Sequence, residues 1–291
     1  MATVAVYGSV NWDEICQLPR YPGPHEKIDA LAIESALGGS AANTATWLAA
    51  TVDRVELIGA VGDDPEGSLC LDWLDRAGVG RGGVEVLKGE RTSRACSWVV
   101  GSDKRIVTFR QPRLRREHGP DWALSTVTAA EHLHLGSLID GAALECLEAA
   151  LMAGVSVSVE LSGKRHDRAR ERADIVFLNT EELRSVFGLE VADLSADTVA
   201  TVAPKRGATL VVTDGPAAVI CATRETVRSF TVDPLEGVVD RTGGGDAFDG
   251  GFIAAWLTHA GEIDAAVAAG LVSSRQVLQQ VGGSRRGPVT D

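Results

Sequence analysis

Two kinds of apolar pattern alternate along the chain. Thr3-Val4-Ala5-Val6-Tyr7 is short, rich in β-branched residues and closed by Gly8, as buried parallel strands are. Runs of the same kind occupy 55–61, 132–136, 155–160, 174–178 and 210–213, with 217–221 and 227–230 after them. Helical spacing fills the gaps. Small residues open a helix over Ser40 to Ala50. Asp63-Asp64-Pro65 starts another, with Leu69, Cys70, Trp73, Leu74 and Ala77 on one face. Leu144, Leu147 and Leu151 align within 142–153, and 180–187 follows the strand at 174–178. Two helices, about 246–259 and 262–280, come last; the second carries Ile263, Val267, Leu271 and Leu278. This alternation predicts an α/β body with a mainly parallel sheet covered on both faces.

A different pattern interrupts it. Lys27 to Ser35 alternates weakly, like a half-exposed strand. Val84-Glu85-Val86, Arg94 to Val100 and Arg105 to Phe109 read as antiparallel strands, the last two joined by Gly101-Ser102-Asp103. They predict a small β-sheet lid, formed by about 13–35 and 84–112 and inserted into a single domain spanning 1–291.

Composition narrows the function. A net charge of −12 argues against nucleic-acid partners. No apolar run reaches membrane-spanning length, so no membrane partner is expected. Five scattered cysteines, without a CxxC, read as reduced thiols. With no basic leader before Thr3, the expectation is a cytoplasmic protein. His132 and His134 share one strand face with no third ligand in view, which favours a structural pair over a metal site.

Candidate chemistry concentrates at Gly243-Gly244-Gly245-Asp246, which precedes an apolar run from Phe248 to Leu257. A glycine loop entering a helix presents unpaired N–H groups and a positive dipole end, which suit a phosphate. A carboxylate beside that phosphate is repulsive unless it has work, such as taking a proton from an attacking hydroxyl. The other reading of the stretch alone is a glycine turn capped by Asp246. Asn11 and Asp13, after the first strand, are candidates for binding substrate hydroxyls, or else for turn chemistry. Gly38-Gly39 allows close backbone approach to a ligand, with Asn43 one helical turn on. A P-loop and protein-kinase signatures are missing, and the late glycine loop lacks the third glycine of a dinucleotide fingerprint.

Taken together these motifs resemble the ribokinase-like (PfkB) family of small-molecule kinases, over essentially the whole chain. Asp240-Arg241-Thr242-Gly243-Gly244-Gly245-Asp246-Ala247-Phe248 is similar to the family's D-T-x-G-A-G-D-x-F, departing at Arg241 and Gly244. Gly38-Gly39 with Asn43 resembles the N-terminal signature, Asn179-Thr180-Glu181-Glu182 the N-x-x-E motif, and Thr213-Asp214-Gly215 the T-x-G that contacts nucleotide. The resemblance implies a three-layer α/β/α sandwich with the lid described above. It implies ATP as donor and Mg²⁺ as cofactor, with Asp246 as base and Gly243, Gly244 and Gly245 as anion hole. Asn179, Thr213, Gly215, Gly243 and Gly245 would hold nucleotide, and Glu182 would order magnesium-bound water. Asn11, Asp13, Gly38, Gly39 and Asn43 would hold the acceptor. Asp240, Thr242 and Ser284 match a monovalent cation site, potassium being the expected ion.

The implied activity is phosphorylation of a hydroxyl on a sugar or sugar phosphate, pentose or hexose, ribose 1-phosphate among them. A nucleoside kinase and a non-catalytic sugar- or nucleotide-sensing relative are the alternatives. Lys27 and Arg94 stand where relatives hold an existing substrate phosphate, with Arg91, Arg110 and Arg113 near them. The exposed lid edges predict a homodimer.

Overall fold

The computed structural model describes residues 2–101, 103–111, 120–162, 166–189, 195–203 and 207–285; Arg113 lies outside them. The first half supplies β1 (Thr3–Tyr7), β2 (Asn11–Gln17), β3 (Ala32–Gly38), β4 (Arg54–Gly62), β5 (Gly80–Leu87), β6 (Ser93–Val100) and β7 (Asp103–Phe109). The second supplies β8 (His132–Leu135), β9 (Ser156–Glu160), β10 (Ile175–Asn179), β11 (Thr209–Thr213), β12 (Ala218–Ala222) and β13 (Val227–Thr231). The helices are α1 (Ser40–Leu48), α2 (Pro65–Ala77), α3 (Asp121–Thr128), α4 (Gly141–Ala153), α5 (Asp167–Arg170), α6 (Thr180–Phe187), α7 (Ala196–Thr201), α8 (Gly244–Thr258) and α9 (Ile263–Val277).

One sheet runs β13-β12-β11-β10-β9-β8-β1-β4-β5, parallel except that β12 is antiparallel to both β11 and β13. The buried strand β1 shows why it is covered twice. Val4 and Val6 pack in one core with Ala41, Leu74 and Phe252, whereas Ala5 and Tyr7 pack in the other with Ala143, Leu147 and Leu183. Period-2 alternation of apolar residues to both faces is what makes three layers. The chain leaves β1 toward β4 and β5, then returns to fill the other side from β8 onward. The strand order therefore reverses between β1 and β8, and sheets of this kind hold ligands at the carboxyl ends beside that reversal.

A second sheet, β3-β2-β6-β7, stands apart. It differs from the expected lid in three ways. Residues 80–87 pair in parallel with β4 at the edge of the large sheet. A short β-branched run reads alike in either sheet, so the pattern could not place it. Asn11 and Asp13, expected in a loop after the first strand, lie on a central strand of the small sheet, Asn11–Gln17, antiparallel to β3 and parallel to β6. The third strand begins at Ala32, leaving Lys27 exposed in the preceding loop.

His132 and His134 are buried in β8. His132 Nδ1 is 2.7 Å from Ser156 Oγ and its Nε2 is 2.8 Å from Ser158 Oγ, while His134 Nδ1 is 2.9 Å from Ser158 Oγ. Burial pushes both imidazoles down to about 3, so both are neutral in the fold. Among the described residues no group of three or more His, Cys, Asp or Glu side chains could hold a metal ion.

Candidate active site

The loop before α8 is fixed by its own chain. Gly243 has φ 73° and caps α8, and a Cβ there would lie 2.4 Å from the Gly283 Cα. Only glycine satisfies both conditions. Asp240 Oδ1 accepts from Thr242 N at 2.9 Å and Thr242 Oγ1 at 2.6 Å, and Oδ2 accepts from Gly282 N at 3.1 Å. The carboxylate thus ties the loop to the segment after α9. Ala247 N makes the first helical bond, to Gly243 O at 2.8 Å, so the amides of Gly244, Gly245 and Asp246 lack intrahelical acceptors. Above Gly245 the space is open: a Cβ would meet nothing within 4 Å. Three orphan amides and a clear approach are what an anion requires.

Asp246 follows at once. Its Oδ2 accepts from Asn43 Nδ2 at 2.7 Å, and Asn43 Oδ1 accepts from Ser284 Oγ at 2.6 Å. Asn43 is buried, and these two bonds fix its amide so that it orients Asp246. The surrounding scaffold is laced the same way, by Trp47 Nε1 to Gly283 O at 3.0 Å and Arg285 N to Thr46 Oγ1 at 2.9 Å. Burial raises Asp246 to about 6, against the lowering effects of Asn43, Ser40 and Lys104. The helix dipole alone would have made it a weaker base; desolvation wins.

The loops after β1 and β8 and the inner face of the small sheet enclose a cavity of about 220 Å³. Gly39 and Ser40 line it from the body, and Asn11, Asp13, Ser93, Ser97, Lys104 and Arg110 from the small sheet and the residue after it. Asp13 Oδ1 is buried without a hydrogen-bond partner, and burial raises its carboxyl to about 6. A Cβ on Gly38 would lie 2.1 Å from Asp13 Oδ2, so Gly38 makes room for this carboxylate. A buried acceptor left unsatisfied costs about 1–3 kcal/mol, which a hydroxyl donor from a ligand would recover.

Lys27 and Arg94 do not reach this cavity. On β6 it is Ser93, Ala95 and Ser97 that face inward. Arg94 points to the opposite face, where it pairs with Glu14 at 3.4 Å and Glu66 at 3.1 Å. A shift of one residue on a strand exchanges the faces. Lys104, unnoticed in the sequence, takes the inward place on β7 and donates a hydrogen bond to Thr242 Oγ1.

A smaller cavity, about 60 Å³, opens at the ends of β9, β10 and β11, lined by Glu160, Asn179, Glu182, Thr213, Gly245 and Asp249 among others. Asn179 and Glu182 form a capping box on α6, with Glu182 N to Asn179 Oδ1 and Asn179 N to Glu182 Oε2 both 2.9 Å. One oxygen of Glu182 is therefore committed to the cap. Gly215 sits exposed in the β11–β12 turn and does not line the cavity, whereas Thr213 does. The fold brings Glu160 and Asp249 beside Glu182, and burial raises all three. Ser40 and Ser162 both donate to Glu160.

The family model for pfkB family carbohydrate kinases matches residues 1–288. The chain belongs to the pfkB family. It is 33% identical over 274 residues to an ATP-dependent ribose-1-phosphate kinase of Halopiger xanaduensis, covering 92% of this chain and 88% of that one. It is 25% identical over 277 residues to a ribokinase of Haemophilus influenzae, covering 88% and 85%. Its fold matches Arabidopsis thaliana ribokinase complexed with ribose and ATP, with a TM-score of 0.84, 23% identity and coverage of 97% and 94%. As a pfkB-family carbohydrate kinase the protein is a phosphotransferase.

Proposed function

We propose that the protein moves the γ-phosphoryl group of ATP to a hydroxyl of a phosphorylated sugar, with ribose 1-phosphate the first candidate. The observation that carries the acceptor site is Asp13: a buried carboxylate oxygen without a partner, facing the same cavity as the loop that leads to Asp246. A volume of about 220 Å³ suits a monosaccharide. Drug-sized ligands occupy roughly 300–1,000 Å³, which places a nucleoside second. The experiment is an acceptor panel of pentoses, hexoses, their phosphates and nucleosides, each with ATP or ADP. Ribose 1-phosphate or another sugar phosphate should give the highest kcat/KM with ATP; a neutral sugar or a nucleoside as best acceptor would overturn the reading.

In this reading the amides of Gly244, Gly245 and Asp246 receive the γ-phosphate. Asp246, aimed by Asn43, accepts the proton of the attacking hydroxyl, and its raised pKa matches that work. Because phosphoryl transfer passes through a loose transition state, placement and charge neutralisation dominate. Thr213 and Asn179 border the nucleotide's approach. Glu160, Glu182 and Asp249, all disfavoured as charges by burial, line the small cavity beside Gly245. Magnesium, carried on the nucleotide phosphates, would meet Glu182 through water and neutralise phosphate charge. A potassium ion at Asp240, Thr242 and Ser284 would draw on the lone pairs these residues keep beyond their bonds, since Asp240 Oδ2 accepts from Gly282 N and Ser284 Oγ donates to Leu37 O and Asn43.

Arg110 replaces Arg94 and Lys27 as the residue for the acceptor's own phosphate, since it lines the cavity and they do not. Arg110→Ala is expected to raise the acceptor KM about tenfold, the loss of one charge-assisted contact, and to leave the KM for ATP in place. Arg94→Ala should leave both unchanged. The reverse pattern in steady-state kinetics would restore the sequence assignment.

The outer face of the small sheet carries Ile33, Trp98, Val107 and Phe109, which are 64%, 40%, 72% and 49% exposed. A contiguous apolar patch of this kind marks an interface, and a second copy of the chain is its proposed occupant. Light scattering should show a dimer at micromolar concentration and a monomer for Val107→Glu. A wild-type monomer would remove the dimer.

A further inference from the structure

Side chains on β7 alternate. Lys104, Ile106 and Thr108 line the cavity that holds Asp13, and the intervening Arg105 and Val107 take the outer face. The Lys104 ammonium bonds to the hydroxyl of Thr242, one residue before Gly243, and so ties the small sheet to the glycine loop across a separation of 138 residues. Burial disfavours its charge and lowers its pKa, while Asp240, Asp13 and Asp246 favour the charge. A strongly hydrated ammonium is costly to bury, and a neutral hydroxyl repays little of that cost. The three carboxylates around it leave the site with an excess of negative charge, the opposite of what an incoming γ-phosphate needs. The orphan amides of Gly244 to Asp246 begin two residues beyond its present partner.

We infer that Lys104 exchanges Thr242 for the transferring phosphoryl group and is a catalytic residue delivered by the small sheet. The inference rests on the kinase reading given above. An acceptor oxygen forms a bond to the γ-phosphorus as the bond from that phosphorus to the β–γ bridging oxygen breaks. The acceptor proton passes to Asp246, ADP departs, and Lys104 stays protonated throughout, neutralising charge on the non-bridging oxygens. Because the ammonium belongs to the small sheet, this neutralisation exists only when that sheet is seated on the body. Turnover is thereby coupled to closure over an acceptor.

The test is steady-state kinetics of full-length Lys104→Met and Lys104→Arg with ATP and the best acceptor of the panel. Lys104→Met should lose about 10²–10³-fold in kcat with both KM values within about threefold of wild type, the size of effect seen when one charge-stabilising donor is removed. Lys104→Arg, which keeps the charge, should regain at least about tenfold of that loss. A circular-dichroism melt checks that each variant is folded, and Lys104→Gln takes the place of Lys104→Met if that variant is not. A kcat within about threefold of wild type, or a rise confined to the acceptor KM, overturns the inference. Failure of the wild type to phosphorylate any acceptor would instead sink the kinase reading beneath it.

Discussion

Replacing Asp246 by asparagine is expected to lower kcat by about 10²–10⁴-fold and to leave the KM for ATP near its wild-type value. The geometry says why. Asn43 donates to Asp246 Oδ2, and its amide is held in that orientation by Ser284. An asparagine at 246 must turn its carbonyl toward that donor, which leaves its NH₂ toward the acceptor. The size and the hydrogen bond survive; the proton acceptor does not. A pH signature accompanies the loss. Asp246 is raised to about 6 by burial, so the wild-type rate should fall as pH drops through about 6, where the base becomes protonated. An ordinary aspartate would hold its rate some two pH units further into acid. Asp246→Asn should lack this limb. Near-full turnover in the variant would end the assignment of Asp246 as base.

The second large effect is on stability. His132 and His134 titrate near 3 in the fold and near 6.5 in an unfolded chain. Above pH 6.5 both states are neutral and the pair contributes no pH dependence. As pH falls below 6.5 the unfolded chain takes up protons that the fold refuses, and stability drops by about 1.4 kcal/mol per unit and per histidine. Between pH 7 and pH 5 the two histidines together should cost about 4 kcal/mol. Asp13 and Asp246 work the other way: with folded pKa values raised, they add stability as pH falls through about 6. The comparison must therefore be differential. Urea unfolding of wild type and His132→Gln/His134→Gln at both pH values shares the carboxylate contribution and isolates the histidines. The variant should lose about 4 kcal/mol less than wild type over that interval; parallel losses would show that the imidazoles are not held neutral.

Much of this architecture was legible in residue pattern. The buried parallel strands, the helices between them and the glycine loop at 243–246 follow from local sequence, because each is decided by neighbours within a few residues. What stayed hidden depends on register or on the fold bringing distant residues together. Asn11–Gln17 sets Asp13 beside Glu14 and Ile15 beside Cys16, so it lacks the strict alternation that marks a strand. The run at 80–87 carries no mark of which sheet it joins. The face that Arg94 takes depends on a register of one residue, which local pattern does not set. Asn43 was found as a site residue, but its role follows from Asp246 and Ser284 lying on either side of it in space. Lys104 left no signal at all: a lysine on an edge strand reads as solubilising charge. Glu160, likewise, could not be tied to Ser40 before the fold brought them together.

The account's central claim is transfer from ATP to a sugar hydroxyl in the cavity lined by Asp13 and by Thr242, on the loop that leads to Asp246. Phosphorus NMR of the wild-type protein with ATP, Mg²⁺ and ribose 1-phosphate tests it most directly. The account predicts ADP and, in equal amount, a sugar carrying two phosphate esters, one of them new. ADP accompanied only by inorganic phosphate, or a nucleotide spectrum that does not change, would contradict it.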